Sequence, residues 1–208
     1  MARGRSADYH LNRETIVRTA TRLFAQQGYP GTSMSDLARE CGISKPLLYH
    51  YVSDKYELLR EITEGHVSRL ETLVGEVEAL KLAPPQRLRE LIRRFVHEYA
   101  QSRHDHGVLT QDVKFLETRD RNRVLRKERA VVAAFAATIA EARPDLARTA
   151  LDKPLTMLLF GMINWMFTWL RPDGTLRHDD MAPIVADLFL GGLGAVRPPA
   201  TLSVEAPN

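Results

Sequence analysis

The sequence predicts an all-α protein with about nine helices. Two long segments, residues 47–83 and 86–143, contain no proline. Apolar residues recur within them three and four positions apart, the spacing that places them on one face of a helix. No segment shows the alternation of apolar and polar residues that is typical of a strand, so we expect helices throughout.

Size and composition are those of an ordinary globular protein. The chain has 208 residues, 44% hydrophobic and 26% charged, enough to bury a sizeable core in one or two domains. Its single cysteine excludes an intrachain disulfide, and its first residues lack the apolar stretch of a secretory signal, which favours the reducing cytoplasm. The longest apolar run, residues 155–170, is interrupted by polar residues and is too short to predict a membrane span.

Positive charge is concentrated in the first quarter of the chain. Residues 1–55 carry eight of the 29 Lys and Arg residues but five of the 26 Asp and Glu residues, so the net charge of +3 arises there. A module that binds a polyanion is expected in this quarter, although a solvated helix face explains so small an excess more simply.

The first predicted helix covers about residues 12–27 and ends at Gly28. Its core-facing residues are Ile16, Ala20, Leu23 and Phe24. A second helix follows Ser33, whose hydroxyl can cap it together with the carboxylate of Asp36. A third follows the N-cap Ser44, and the tight turn at residues 41–43 joins the two as a helix-turn-helix.

Further helices are predicted over the rest of the chain. A fourth begins after Ser53, and a fifth follows the prolines at 84 and 85 with an apolar face. That face comprises Leu88, Leu91, Ile92, Phe95, Val96 and Tyr99. The remaining predicted helices cover residues 124–142, 154–170 and 180–193, and the tail, residues 197–208, is expected to be disordered.

Residues 32–59 carry a more specific motif, TSMSDLARECGISKPLLYHYVSDKYELL. It contains a capping threonine and serine, a short Asp-Leu-Ala helix, Gly-Ile-Ser-Lys, the aromatic run Tyr-His-Tyr, and Ser-Asp-Lys. In this combination the segment resembles the DNA-binding domain of the TetR family of bacterial regulators. One departure is Val52, where the family usually has phenylalanine; we expect a small packing difference at this core position.

The resemblance implies a DNA-binding domain over residues 1–55 that contacts a double-stranded operator. The candidate DNA-binding residues are Arg3, Arg5, Thr32, Ser33, Ser44, Lys45, Pro46, Leu47, Tyr49, His50, Tyr51 and Lys55. The N-terminal residues of a recognition helix meet base edges in the major groove, while flanking groups hold phosphates. Lys45 suits guanine or a phosphate, and Pro46 and Leu47 suit a thymine methyl.

The other candidates have alternative explanations. The family resemblance makes Lys55 a phosphate anchor. Thr32 and Ser33 combine a cap with a helix N-terminus, which is itself an anion site. For the aromatic residues the alternative to a DNA contact is packing in the core, and at Tyr51 the two alternatives are evenly balanced. The arm with Arg3 and Arg5 resembles those that enter a narrow minor groove, but a disordered tail fits it at least as well.

Residues 56–196 are expected to dimerise and to bind a ligand. In the family the last two helices of each subunit form a four-helix dimer interface, which implies residues 154–170 and 180–193 here; burial in one core is the alternative. The candidate ligand-binding residues are Phe95, Tyr99, Lys114, Arg123, Gly161, Asn164, Trp165, Thr168 and Trp169.

A polar stripe on an apolar helix beside a basic segment suggests an amphipathic anion as ligand. Gly161, Asn164 and Thr168 share that stripe, and residues 114–129 carry seven basic side chains. An acyl- or aryl-coenzyme A thioester fits this description, and the sequence is similar to family members that respond to such thioesters. Internal hydrogen bonds and a solvated face explain the two features more simply.

Other chemistry has little support in the sequence. His104 and His106 do not have the spacing of a convincing metal site and are expected in a surface loop; we expect no metal and no cofactor. No glycine-rich phosphate loop or nucleophile elbow is present, so an enzyme ranks below a ligand-responsive repressor and a DNA-binding scaffold without ligand. The operator, the regulated genes and the sign of regulation stay open, because activators and repressors share this module.

Overall fold

The chain folds into helices throughout the part that the structure describes. In this computed structural model, the backbone is described for residues 2–171 and 173–199 and side chains for residues 12–171 and 173–199. Within these ranges there are ten α-helices and no strand, which confirms the all-α prediction. The helices are Ala2–Gly31 (α1), Met34–Glu40 (α2), Lys45–Tyr51 (α3), Lys55–Ala79 (α4), Pro84–Gln101 (α5), Arg103–Asp112 (α6), Thr118–Ala142 (α7), Pro144–Ala147 (α8), Asp152–Trp169 (α9) and His178–Ala195 (α10).

The helices differ from the sequence prediction at α1, α6, α7 and α8, and α7 begins at Thr118 where the prediction began at residue 124. Helix α1 begins at Ala2 instead of near residue 12, and its backbone leaves the helical conformation at Gly28, with φ of 76°, where the stop was predicted. Helices α6 and α8 were not predicted. The expectation of a surface loop at His104 and His106 is wrong, because both lie in α6. Of the predicted disordered tail, residues 200–208 lie outside the described part.

The chain divides into two compact units. Unit 1 comprises residues 1–68 and 102–126, and unit 2 comprises residues 69–101 and 127–208. Helices α4 and α7 each contribute residues to both units. The functional boundary predicted at residue 55 stays a prediction.

The core of unit 1 supports the helix-turn-helix. All four apolar residues predicted for the first helix are buried, namely Ile16, Ala20, Leu23 and Phe24. Leu37 of α2, Leu48 of α3 and Val52 belong to the same cluster. The two short helices are therefore held by a few apolar anchors on a longer neighbour.

The core of unit 2 is built on α5. Its six predicted apolar residues are buried. The Phe135 ring lies 4.9 Å from both Phe95 and Phe160, and the Tyr99 ring lies 5.7 Å from Phe167. Such aromatic contacts add to the stabilisation by area burial. No helix in residues 2–171 and 173–199 is long and apolar enough to span a membrane.

Candidate nucleic-acid interface

The two short helices of unit 1 begin at the predicted caps. Ser33 Oγ accepts a hydrogen bond from the Asp36 amide at 3.1 Å, and the Ser33 amide donates to Asp36 Oδ2 at 3.2 Å. Ser44 Oγ accepts from the Leu47 amide at 3.3 Å. Between them Gly42 adopts a φ of 67°, the left-handed conformation in which glycine carries no steric cost. Local chemistry therefore fixes where α3 starts.

Helix α3 presents most of its side chains to solvent. Leu48 is fully buried and anchors the helix to unit 1. The predicted DNA-contacting residues on the opposite side are all exposed, namely Lys45, Pro46, Leu47, Tyr49 and His50. Leu47 is 42% exposed and Tyr49 46% exposed, although Leu48 between them is fully buried. This surface, the α3 face, combines a cation with apolar groups at a helix N-terminus.

Tyr51 lies at the edge of the α3 face. Its side chain is half-buried beside the apolar cluster of unit 1, and its Oη accepts a hydrogen bond from Asn12 Nδ2 at 3.0 Å. Its ring meets that of His50 edge-on at 5.5 Å. The Tyr51 ring therefore packs against the core of unit 1 and its hydroxyl lies at the surface, while a contact with DNA stays a prediction.

Three predicted hydroxyl contacts have partners within the chain. Thr32 is buried, and its Oγ1 donates to the Gly28 carbonyl at 3.1 Å. Ser33 Oγ donates to Asp36 Oδ2 at 2.5 Å, and Ser44 Oγ serves as a cap. Thr32 is therefore placed inside unit 1, where its hydroxyl and its amide both have acceptors within the chain.

Lys55, the predicted phosphate anchor, points to the protein interior. Its Nζ donates to the carbonyl oxygens of Tyr29 at 2.7 Å and Thr32 at 2.8 Å. It also lies 4.3 Å from the centroid of the Tyr29 ring. Burial lowers the pKa of Lys55 below its ordinary value. Two of its three donors are thus committed to the chain itself. The side chains of the other predicted cations, Arg3 and Arg5, lie outside the described part.

The candidate ligand-binding residues do not form one site in the structure. Phe95 and Tyr99 are buried in the aromatic core of unit 2. The five candidates on α9 are exposed instead, namely Gly161, Asn164, Trp165, Thr168 and Trp169. Packing turns Leu159, Ile163 and Met166 inward and leaves this stripe on the outer side of α9. Whether they contact a ligand stays a prediction.

The two basic candidates belong to unit 1. Arg123 Nη1 donates to Glu64 Oε1 at 2.7 Å, and Lys114 Nζ lies 5.2 Å from the centroid of the Phe115 ring. A phosphate would have to compete with Glu64 for the Arg123 guanidinium. Their predicted role as ligands of an anion therefore has no support from their contacts.

One buried carboxylate was not singled out from the sequence. Asp112, the last residue of α6, is 4% exposed, and its Oδ2 accepts a hydrogen bond from the Tyr29 amide at 3.1 Å. Burial raises its pKa, and the hydrogen bond and the charge of Lys55 oppose that rise. Since 83 positions separate the two partners, no local pattern reveals the contact. Across the described residues, no group of three or more His, Cys, Asp and Glu side chains could hold a metal ion.

Two family models match the chain. Residues 16–62 match "Bacterial regulatory proteins, tetR family", and residues 81–193 match "Tetracyclin repressor-like, C-terminal domain". The second match alone spans more than half of the chain.

Similar proteins agree with these matches. A TetR-family transcriptional regulator from Bordetella parapertussis 12822 has 35% identity and a TM-score of 0.82, over 90% of this chain and 98% of that one. The HTH-type transcriptional repressor KstR2 of Mycobacterium tuberculosis (strain ATCC 25618 / H37Rv) is 26% identical over 87% of this chain and 92% of its own.

A third similar protein, AibR, was solved in complex with isovaleryl coenzyme A and operator DNA. It has 23% identity and a TM-score of 0.73, over 85% of this chain and 97% of that one, and shows the shared fold. Helix-turn-helix geometry, family models and relatives lead to the same assignment. The chain belongs to the TetR family of DNA-binding transcriptional regulators.

Proposed function

We propose that the chain is a homodimeric repressor that binds a palindromic operator in the cytoplasm and releases it when a small effector binds unit 2. The observation that carries the proposal is the exposed α3 face. A helix whose N-terminal turn offers a cation and apolar groups to solvent suits the major groove, where base edges present acceptors and thymine methyl groups.

On this face Lys45 would donate to guanine or to a phosphate, and Leu47 would contact a thymine methyl. Tyr49 would donate to a phosphate or a base edge. One short helix supplies few contacts, so a second copy is needed for affinity, and two-fold symmetry then sets the half-site spacing at about one helical turn.

Dimerisation is supported by the outer surfaces of α9 and α10. Exposed apolar residues on α9 are Met157, Leu158, Trp165 and Trp169, and those on α10 are Ile184 and Leu188. Trp165 is 68%, Leu158 65% and Leu188 64% exposed. Exposed apolar side chains in this density are typical of an interface. We propose that these exposed apolar residues of α9 and α10 contact the partner copy, because the last two helices of each subunit form the dimer interface in the family.

The effector is proposed to be a small amphipathic molecule, and an acyl- or aryl-coenzyme A thioester is the candidate that we would test first. AibR with bound isovaleryl coenzyme A supports this class, and KstR2, a named repressor, supports the sign of regulation. Unit 2 also contains a cleft of about 360 Å³ whose lining includes His97, Arg177 and His178. Asp179 also lines this cleft, and its Oδ1 lies 3.1 Å from His97 Nδ1, so an anionic head group would have to displace this carboxylate from His97.

The test uses the full chain and an operator selected by the wild-type protein from random-sequence duplexes. Binding is followed by fluorescence anisotropy while coenzyme A thioesters, the matching free acids and neutral hydrophobic compounds are titrated. Release by a thioester, with the thioester recovered unchanged, supports the proposal.

Three other outcomes contradict parts of the proposal. Operator binding that no compound relieves would favour a DNA-binding scaffold without ligand. Turnover of a bound thioester would favour an enzyme. Release that follows simple competition for the DNA-contacting surface would contradict a separate effector site, since coupling between two sites requires a differential affinity of about 1 to 3 kcal/mol.

A further inference from the structure

The connection between α1 and α2 is a short corner held by side chains from distant parts of unit 1. Helix α1 loses its helical geometry at Gly28, and Pro30 lies just beyond. Thr32 folds back so that its Oγ1 reaches the Gly28 carbonyl at 3.1 Å. Ser33, the next residue, is the N-cap of α2. The position of residues 28–32, the α1–α2 corner, therefore determines where the helix-turn-helix begins.

Lys55 holds this corner from the start of α4. A single ammonium donates to the carbonyl oxygens of Tyr29 and Thr32, which lie at the two ends of the turn. Tyr29 lies near the end of α1, where carbonyls lack intrahelical donors, and its carbonyl also accepts from the Thr32 amide at 3.4 Å; Thr32 lies between α1 and α2. The cation on the Tyr29 ring face adds a further attraction. Removing the ammonium would leave two carbonyls without this donor.

Asp112 holds the same corner from the end of α6. Its carboxylate accepts from the Tyr29 amide, while Lys55 takes the carbonyl of the same residue. The peptide groups on both sides of Tyr29 are thus fixed by one anion and one cation, which also attract each other. The Tyr29 ring packs on Phe24 at 5.3 Å and Phe115 at 5.7 Å. A buried carboxylate needs such partners, because an unsatisfied one is costly.

We propose that Lys55 and Asp112 are positioning residues for operator binding, which act on DNA affinity through the α1–α2 corner and without touching the duplex. The inference rests on the proposed role of the α3 face in operator binding. Helix α6 packs along α1 and ends at Asp112, so its last side chain reaches the α1–α2 corner.

The assignment separates Lys55 from a phosphate contact by a measurable quantity. Each phosphate neutralised by a protein cation contributes roughly 0.9 to the slope of log K against log salt concentration. A positioning lysine lowers affinity when it is replaced but leaves that slope unchanged. Replacing a phosphate anchor lowers both the affinity and the salt slope.

The experiment compares the wild type with Lys55→Met, Asp112→Leu and Asp112→Asn, and with the Lys55→Met/Asp112→Leu double variant. All are full chains, tested on the operator selected by the wild-type protein at several salt concentrations. We expect Lys55→Met and Asp112→Leu each to weaken binding about tenfold or more with the wild-type salt slope. Asp112→Asn retains an acceptor for the Tyr29 amide and is expected within about threefold of the wild type. The double variant should bind no more than a few-fold worse than either single one, because both act through one corner.

Each opposite result would overturn the inference. A salt slope reduced by roughly 0.9 for each Lys55→Met protomer would make this residue a phosphate anchor. If Asp112→Leu binds the operator with wild-type affinity, the Asp112 carboxylate does not contribute to operator binding. If Lys55→Met or Asp112→Leu no longer unfolds cooperatively, the replaced residue is required for folding of the chain and is not a positioning residue for operator binding.

A Tyr49→Ala variant distinguishes this failure from failure of the proposed interface. If Tyr49→Ala weakens binding and the corner variants do not, only the positioning role is wrong. If Tyr49→Ala binds like the wild type, the α3 face itself is in question.

Discussion

His66 Nε2 lies 3.3 Å from His106 Nδ1, a contact between α4 and α6 within unit 1. The two rings meet edge-on with centroids 5.5 Å apart, and His66 is fully buried. Burial lowers the pKa of His106 to about 4, so its imidazole is neutral at pH 7. A proton on this half-buried ring would be added where solvation by water is reduced.

Because the pKa of His106 is lowered in the folded chain, we expect the chain to lose stability on acidification. In the unfolded chain His106 takes up a proton near its ordinary pKa, whereas the folded chain resists protonation down to about pH 4. Its contribution to folding is therefore complete above about pH 6.5 and is lost as the pH falls toward 4, with a slope of up to about 1.4 kcal/mol per pH unit. Urea unfolding near pH 7 and near pH 5 measures this slope.

His106→Gln should reduce that pH dependence, since glutamine does not titrate. His104→Gln is the matched control, because His104 is an exposed histidine on the same helix. An identical pH dependence in wild type and His106→Gln would show that other groups cause it.

Replacing Lys45 should weaken operator binding. Its side chain is exposed at the first position of α3. We expect Lys45→Ala to cost roughly 1 to 3 kcal/mol for each base contact that is lost, or to lower the salt slope by about 0.9 for each phosphate contact. Arg148→Ala removes an exposed cation of unit 2 and should leave binding unchanged. Unchanged affinity and slope in Lys45→Ala would contradict the proposed contact.

A charge on the outer surface of α9 or α10 should separate the dimer. Trp165 and Leu188 are 68% and 64% exposed in the single chain, and a glutamate there would be buried without a partner in the complex. Sedimentation velocity is expected to show monomers for Trp165→Glu and Leu188→Glu. Leu176→Glu, on an exposed residue before α10, is the control and should sediment as the wild type. Intact dimers in both variants would place the interface elsewhere.

Phe135→Ala should destabilise unit 2. Phe135 is fully buried, and its ring contacts those of Phe95 and Phe160. Truncating a buried phenylalanine leaves a cavity and costs about 3 to 5 kcal/mol. Thermal unfolding should show a clear drop in Tm, whereas Trp169→Ala, on an exposed residue, should change monomer stability little. Comparable unfolding of the two variants would contradict the packing described for this core.

The elements that are set by local chemistry could be predicted from the sequence. The caps at Ser33 and Ser44 and the breaks at Gly28 and Gly42 depend on residues within a few positions, so the helix-turn-helix was predicted closely. Helix α6 was missed because its sequence, RHDHGVLTQD, combines poor helix formers with only two buried apolar residues. Its helical state depends on packing against α1.

The direction in which side chains point was harder to predict. Periodicity predicts which residues of α9 share a face, but it does not predict which face the core covers. In the structure the face with Trp165 and Trp169 is exposed. The partners of Lys55 are 26 and 23 residues away, and those of Asp112 are farther still. Contacts of this separation are created by the tertiary fold and leave no local signal.

Photo-crosslinking from the α3 face would show whether this surface contacts the operator. The full chain would carry benzoyl-phenylalanine in place of Tyr49 or of Leu176, two residues that are each 46% exposed. After irradiation with the selected operator, we expect a protein–DNA adduct from position 49 and none from position 176. An adduct from position 176 together with none from position 49, although operator binding persists, would contradict this expectation.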